Sequence, residues 1–91
     1  MWRIYEEHDA SKALDKLPPQ VLRNYEAWRA IVQLAGPQGL REVKSFHDEK
    51  LAGKLSSLRS SRLNRQWRVI YRIEKEEVTA VTVERITAHK Y

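Results

Sequence analysis

Apolar residues recur at helical spacing in the first half of the chain and alternate with polar residues in the second half. Between residues 19 and 35 they fall three or four positions apart, which predicts a helix with one buried stripe. A shorter stripe over residues 10–17 predicts a preceding helix, with Asp9 as its N-cap. Pro18 and Pro19 separate the two, because a proline disfavours helical geometry at the residue before it. The first half therefore predicts a helical hairpin.

The longer helix ends at Gly36, a residue type that favours the left-handed conformation of a C-cap. Tyr25 and Trp28 could in principle stack on nucleic-acid bases, but their helical phase places them in the aliphatic stripe. We therefore predict that both belong to the core. Residues 37–50 show no sustained period and predict a loop or broken turn.

The second half predicts strands. Residues 78–86 are β-branched and alternate with polar residues, as in a strand. At the start of the chain, residues 2–5 alternate in the same way and predict a short first strand. Side chains of residues 67–74 point alternately to the two faces of the predicted strand, so that one face is apolar and the other carries two arginines. One face takes Trp67, Val69, Tyr71 and Ile73, and the other takes Arg68, Ile70 and Arg72.

This order of elements is β-α-α-β-β-β and predicts an α+β fold. Three sequential strands joined by short turns form an antiparallel meander, and the first strand pairs at an edge or beside the last strand. We expect a small twisted antiparallel sheet with the helical hairpin packed on one face. The other face of the sheet stays partly open. The length of 91 residues suits one domain, residues 1–91.

Composition narrows the class of protein. No apolar run approaches the roughly 20 residues that span a bilayer, and the start turns charged within three residues, unlike a secretory signal. The chain has no cysteine, and its 3 histidines lie far apart without paired ligand spacing. We expect a cytoplasmic protein with no membrane association, no metal site and no cofactor.

Charge points to an acidic partner. The net charge is +5, and residues 50–72 contain two lysines and five arginines with no acidic residue. Four of these arginines recur at three-residue intervals: Arg59, Arg62, Arg65 and Arg68. Arginine forms planar, bidentate contacts with phosphate. The pattern therefore predicts a surface that binds a polyanion.

The ordered motifs of the chain resemble the RelE/ParE superfamily of type II toxins, and most closely the RelE/StbE and HigB-like branch. They are KALDKLPPQV, YEAWRAIVQLAGPQGLR, FHDEKLAGKLSSLRSSRLN and SSRLNRQWRVIYRIE, with a terminal HKY. The resemblance covers nearly the whole chain. It implies the same β-α-α-β-β-β fold that the hydrophobic pattern predicts.

The resemblance also implies an activity and partners. RelE-like toxins enter the A site of the ribosome, against the 16S rRNA, and cut mRNA there without a metal. ParE-like toxins share the fold and inhibit DNA gyrase instead. Both kinds are neutralised by a cognate antitoxin protein, so a toxin-antitoxin hetero-oligomer is expected.

Particular residues match the positions that do this chemistry in RelE-like toxins. Arg62 and Arg68 match the arginines that bind the phosphate, and Lys54 matches a basic residue that holds phosphate or acts as a base. Arg59 and Arg65 either contact an RNA backbone or lie at a turn. Lys50 and Lys90 are further expected RNA contacts.

The C-terminal His89 and Tyr91 match the residue types that transfer protons and stack on a base in HigB- and YoeB-like toxins. The order and spacing in HKY differ from those relatives. His47, Asp48 and Glu49 could include a general base, but a solvated charge run is the expected interpretation.

The leading prediction is a ribosome-dependent mRNA endoribonuclease toxin that inhibits translation. One alternative is a ParE-like inhibitor of gyrase that cuts nothing. Another is an inert binding module whose basic face only docks an acidic antitoxin.

Overall fold

The structure, a computed structural model, describes residues 1–88 and confirms an α+β fold. Residues 89–91 lie outside the described part. Three single turns of 3-10 helix connect the main elements, at Leu14–Lys16, Lys44–Phe46 and Gly53–Leu55. The main elements are β1 (Arg3–Glu6), α1 (His8–Ala13), α2 (Pro19–Ala35), α3 (Pro37–Leu40), β2 (Glu49–Lys50), β3 (Arg59–Arg62), β4 (Arg68–Ile73) and β5 (Ala80–Thr87).

The five strands form one sheet in the order β1-β5-β4-β3-β2. Strands β2 to β5 are antiparallel to their neighbours, and β1 pairs in parallel with β5. The first strand therefore lies both at an edge and beside the last strand. The two-residue β2 was not expected from the sequence.

The helices pack on one face of the sheet and enclose the core there. Tyr25 and Trp28 of α2 are 1% and 0% exposed, so the prediction that they are core residues is confirmed. Trp28 contacts Tyr71 of β4 edge to face, with 5.3 Å between ring centroids. Val69 is also fully buried, and Trp67 packs against the same cluster while partly exposed. The alternation in β4 therefore anchors the sheet to the helices as predicted.

Three local predictions are corrected. Glu7, not Asp9, is the N-cap of α1, and no side chain caps the helix, so Asp9 lies inside the first turn. Residues 37–50, expected as a loop, contain α3, a 3-10 turn and β2. Ile73, the last residue of β4, is 41% exposed, although it shares a face with the buried residues.

A β-bulge interrupts the pairing of β4 with β5. Val69 pairs with Ile86 and Ile70 with Arg85, but Tyr71 pairs with Val83. Glu84 is therefore the extra residue, since two residues of β5 face one of β4. The alternation predicted for β5 continues on both sides of the bulge, but the positions that face the core shift by one residue across it.

The described residues contain no membrane-spanning candidate. Among residues 1–88, no helix combines the length and the apolar character needed to cross a bilayer.

Candidate functional site

The side of the sheet opposite the helices, the open face, brings Arg62 and Arg68 together. The two residues are direct register partners in the antiparallel pair of β3 and β4. Cβ atoms of such partners lie about 4.5–5.5 Å apart, and like charges directly opposite are destabilising. Among residues 1–88, neither arginine forms an ion pair with a carboxylate. The pair therefore concentrates uncompensated positive charge at one end of the face.

Arg62 has an unused donor. Its Nε atom is buried, and no group among residues 1–88 accepts a hydrogen bond from it. Buried polar atoms without a partner are rare and costly. Arg62 also lines a cleft of about 570 Å³ between α2, the Lys44–Phe46 turn and the β3–β4 hairpin. This cleft opens on the helix side of the sheet, whereas Arg68 lies on the open face, so what Arg62 offers an anionic group is its unused donor.

The tip of the β3–β4 hairpin fixes the spacing of the arginine pair. Asn64 Oδ1 accepts hydrogen bonds from the backbone N–H groups of Gln66 (2.8 Å) and Trp67 (2.7 Å). The N–H of Leu63 donates to the carbonyl of Trp67 at 2.8 Å and closes the turn. An asparagine that bonds to its own downstream backbone stabilises such a turn. Arg65 lies exposed at this tip.

Arg72, on the same strand and face as Arg68, is neutralised. Its guanidinium contacts three carboxylates: Glu84, Glu74 at 3.1 Å and Glu7 at 3.5 Å. The opposite end of the open face is therefore acidic overall. The charge of the face changes sign along β4 between Arg68 and Arg72.

Arg59 faces the helix side of the sheet, where it forms an ion pair with Asp48. Its Nη2 and Nε atoms donate to Asp48 Oδ2 at 2.7 and 3.1 Å. The side chain of Asp48 is 0% exposed. The expectation of a solvated Asp48 is therefore wrong, because this carboxylate is the buried partner of an arginine. An RNA contact by Arg59 stays a prediction, with these two donors already used.

The ion pair belongs to a larger buried network. Asp48 Oδ1 accepts from Tyr71 Oη at 2.6 Å and from Ser61 Oγ at 2.7 Å, and the indole N–H of Trp28 donates to Ser61 Oγ at 2.9 Å. Burial, and then the hydrogen bond to Asp48, raises the pKa of Tyr71 above its usual value. The network ties β3 and β4 to α2 and to the loop before β2. In the sequence Asp48 lies between His47 and Glu49, 11 residues before Arg59, so no local pattern of charge marks it as the partner of that arginine.

Comparison with solved structures identifies the fold. A YoeB/ParE toxin from Agrobacterium tumefaciens is 13% identical, with a TM-score of 0.77 over 97% of this chain and 99% of that chain. A chain of the archaeal RelE-RelB complex from Pyrococcus horikoshii OT3 is 24% identical, with a TM-score of 0.71 over 94% and 92%. A chain of the toxin-antitoxin complex RelBE2 from Mycobacterium tuberculosis is 28% identical, with a TM-score of 0.59 over 98% of both.

The chain has the RelE/ParE fold. The resemblance inferred from the sequence motifs is thereby confirmed at the level of the superfamily. No protein-family model matches the chain. A search of curated proteins found no match either.

Two of the predicted lysines, Lys50 and Lys54, lie away from the arginine pair. Lys50 in β2 is the register partner of Arg59 in β3, and it lines a separate cleft of about 520 Å³. Lys54 lies exposed in the 3-10 turn between β2 and β3. Arg62 is at the far end of β3, about 10 Å along the strand from Arg59. The structure therefore brings together Arg62 and Arg68 and separates both from the start of β3.

The C-terminal candidates His89, Lys90 and Tyr91 lie outside the described residues, and their roles stay predictions. The last described strand, β5, ends at Thr87, which is the register partner of Arg68. His47 forms a surface contact with Glu49, with 3.3 Å between Nε2 and Oε2. In the part of the chain that is described, no group of three or more His, Asp or Glu side chains could hold a metal ion.

Proposed function

We propose that this protein is the toxin of a toxin-antitoxin system and acts as a ribosome-dependent mRNA endoribonuclease. The observation that supports this most directly is the cross-strand pair of Arg62 and Arg68, which has no carboxylate partner among residues 1–88. Two like charges held face to face destabilise an empty site and suit one that binds an anion. Arg72, on the same strand and face as Arg68, is by contrast neutralised by three carboxylates.

The proposed reaction needs no group that the chain lacks. The 2′-hydroxyl of one nucleotide attacks the adjacent phosphate, the bond to the 5′-oxygen breaks, and a 2′,3′-cyclic phosphate forms. Arg62 and Arg68 stabilise the additional negative charge of the phosphorane-like transition state. A base removes the 2′ proton and an acid protonates the departing 5′-oxygen.

Arginine is too basic to exchange these protons, so other residues must do so. We assign proton transfer to His89 and base stacking to Tyr91, and we assign no step to Lys54, which lies in the exposed turn before β3 and away from the arginine pair. Histidine titrates near neutral pH, which suits both directions of transfer. In the sequence His89 follows Thr87, the register partner of Arg68, by two residues, which supports the assignment. Arg65, Lys50 and Lys90 would contact RNA backbone, whereas Arg59 is held by Asp48 on the helix side of the sheet.

The proposed partner is an antitoxin protein. Structural neighbours include a RelE-RelB complex and YoeB-YefM complexes from Staphylococcus aureus. The net charge of +5 favours an acidic partner. We place both the antitoxin complex and the free toxin in the cytoplasm, where ribosomes and mRNA are found.

The test is primer extension on mRNA translated in a reconstituted system, with and without the purified protein. Wild-type protein is expected to introduce cuts only when ribosomes are present. Arg68→Ala and His89→Ala together should abolish the cuts, while Arg41→Ala, an exposed arginine outside the sheet, should leave them unchanged. Cutting that persists in the double variant would refute the site assignment.

A gyrase inhibitor with the same fold predicts a different pattern. It would leave mRNA intact, inhibit supercoiling by purified gyrase, and arrest growth equally well with His89→Ala. A module that only binds its antitoxin would not arrest growth when it is expressed alone. Either pattern would overturn the endoribonuclease proposal.

A further inference from the structure

The cleft that Arg62 lines on the helix side of the sheet, the hairpin cleft, has apolar walls. Its volume of about 570 Å³ lies within the range of roughly 300–1,000 Å³ that is usual for ligand pockets. The apolar lining comes from α2, from residues 43–46 and from the β3–β4 hairpin: Ala27, Ile31, Val43, Phe46 and Leu63. Ile31 and Val43 are only partly buried. The cleft therefore offers hydrophobic surface that a ligand could cover.

The rim of the hairpin cleft is positively charged. Arg62 and Arg65 line it, and no Asp or Glu side chain among residues 1–88 does so. The Nε atom of Arg62 is buried without an acceptor, which is costly while no ligand is bound. A carboxylate that entered the cleft would give this donor its acceptor. Hydrogen bonds between ionised groups are about twice as strong as neutral ones.

Arg62 lies at the edge of the sheet, between the hairpin cleft and the open face. Strand β2 pairs only with Arg59 and Ser60, so no described strand lies beside β3 at Arg62 on that side. Arg62 lines the cleft and is also the register partner of Arg68. A guanidinium is one planar, delocalised group. A carboxylate bound at Nε therefore fixes the orientation of the whole group and neutralises the charge that a phosphate would use.

A tertiary hydrogen bond holds the hairpin cleft in shape. The Asn24 side chain of α2 donates from Nδ2 to the carbonyl oxygen of Leu63 at 2.7 Å. Asn64 closes the tip of the same hairpin by accepting two backbone N–H groups. Both walls of the cleft are thus fixed relative to each other, and a preformed site loses less conformational entropy when a ligand binds.

We propose that the hairpin cleft binds an apolar segment of a partner protein, and that a carboxylate of this segment accepts a hydrogen bond from Arg62 Nε. Aliphatic walls favour a peptide over RNA, because the phosphates of RNA lose hydration against such walls without compensation. The consequence for activity rests on the proposed function: the bound segment withdraws Arg62 from RNA, so partner and RNA compete. Such a segment belongs to the antitoxin of the proposed pair.

The test uses a peptide of this chemistry as the probe. It is a capped decapeptide of leucine, alanine and serine with one central glutamate, and the matched control peptide has glutamine in that position. Binding to the 91-residue chain is followed by two-dimensional NMR titration. The glutamate peptide should bind about tenfold more tightly, because a charge-assisted hydrogen bond is lost with glutamine. Arg62→Gln should bind the two peptides equally.

A pair of substitutions on α2 tests the location. Ala27 is exposed and lines the cleft, so Ala27→Trp should fill the space and weaken binding of the glutamate peptide at least tenfold. Ala30→Trp adds the same side chain at an exposed position of α2 outside the cleft and should leave binding unchanged. Thermal unfolding shows that each variant is folded.

Several outcomes would overturn the docking site. They are a glutamate peptide that does not bind, equal binding of the two peptides to the wild type, and unchanged binding in Ala27→Trp. Two others would assign the cleft to a different occupant. A 2′-O-methyl RNA dodecamer whose NMR shifts map to the cleft would make it an RNA site, and self-association of the chain that Ala27→Trp abolishes would make it an interface between copies.

Competition tests the link to activity. The glutamate peptide should weaken binding of the RNA dodecamer to the wild type, and the RNA should weaken binding of the peptide by the same factor, because coupling is reciprocal. Simultaneous, independent binding would refute the withdrawal of Arg62. Peptide binding that depends on Arg62, without any cutting of translated mRNA, would refute only the proposed function. Cutting by a protein that does not bind the peptide would refute only the docking site.

Discussion

At the scale of single residues, the arginines of the basic stretch have separate fates. Arg59 and Arg62 are three positions apart in one strand, so they lie on opposite faces of the sheet. Arg59 pairs with a buried aspartate, whereas Arg62 and Arg68 face each other without a carboxylate partner among residues 1–88. A uniform pattern of charge in the sequence therefore divides into a structural arginine and two arginines available to a ligand.

Loss of the Asp48 carboxylate should destabilise the fold. Asp48→Ala leaves the Arg59 guanidinium, whose side chain is 16% exposed, without its partner. Breaking a largely buried ion pair costs about 3–5 kcal/mol. Urea unfolding should show a loss of this order, against less than about 0.5 kcal/mol for Glu49→Ala, which removes only a surface contact. Equal losses in the two variants would contradict the buried network.

Alkaline pH should weaken the fold through Tyr71 and Tyr25. Burial and hydrogen bonding to a carboxylate raise the pKa of both phenols above the usual value of about 10. Above about pH 10 the unfolded chain therefore releases protons that the folded chain keeps, so the free energy of unfolding falls as the pH rises. The stabilising contribution of the two phenols is complete below that pH.

The measurement is urea unfolding across this alkaline range. Tyr71→Phe and Tyr25→Phe, singly and together, should lose stability less steeply with pH than the wild type. An unchanged slope in the double variant would contradict the role of these two phenols.

At the scale of elements, the junction between α2 and α3 shows how a local signal acquires a tertiary function. Gly36 ends α2 with a φ of 74°, as a glycine C-cap was predicted to do. The ring of Trp2 also packs against it, and a Cβ atom at Gly36 would lie 2.6 Å from that ring. The glycine therefore ends the helix and also leaves the space that the ring of Trp2 occupies.

Gly36→Ala and Gly53→Ala separate these two requirements. Both glycines have positive φ, but a Cβ at Gly53 would meet nothing within 4 Å. Gly53→Ala should cost about 1 kcal/mol for the backbone conformation alone. Gly36→Ala should cost about 3 kcal/mol, because the overlap with Trp2 adds to it. Equal losses in urea unfolding would show that the tryptophan moves aside freely.

At the scale of the whole molecule, charge is sorted across the open face. One end presents the arginine pair, and the other contains Arg72 among three glutamates. This arrangement lowers stability at the arginine end and favours a bound anion there. The folded protein is therefore expected to become more stable when one arginine of the pair is replaced by a neutral residue.

Arg68→Gln and Arg72→Gln should therefore have opposite effects on stability. Arg68→Gln should raise the free energy of unfolding by about 0.5 kcal/mol at low salt, because it relieves repulsion from Arg62. The gain should shrink at high salt as repulsion is screened. Arg72→Gln leaves three glutamates without their partner and should lose stability. Urea unfolding at two salt concentrations tests both, and a loss of stability in Arg68→Gln would contradict the pair.

The sequence by itself determined the longer elements of this protein. Periodicity located α2, β4 and β5 and placed Tyr25 and Trp28 in the core, because local side-chain direction depends only on the backbone period. Only the tertiary structure decided which charges are neutralised. The pairing of Asp48 with Arg59 and the phase change at Glu84 depend on residues from separate strands and loops. Contacts of that kind arise when the sheet assembles, so no local pattern of charge could reveal them.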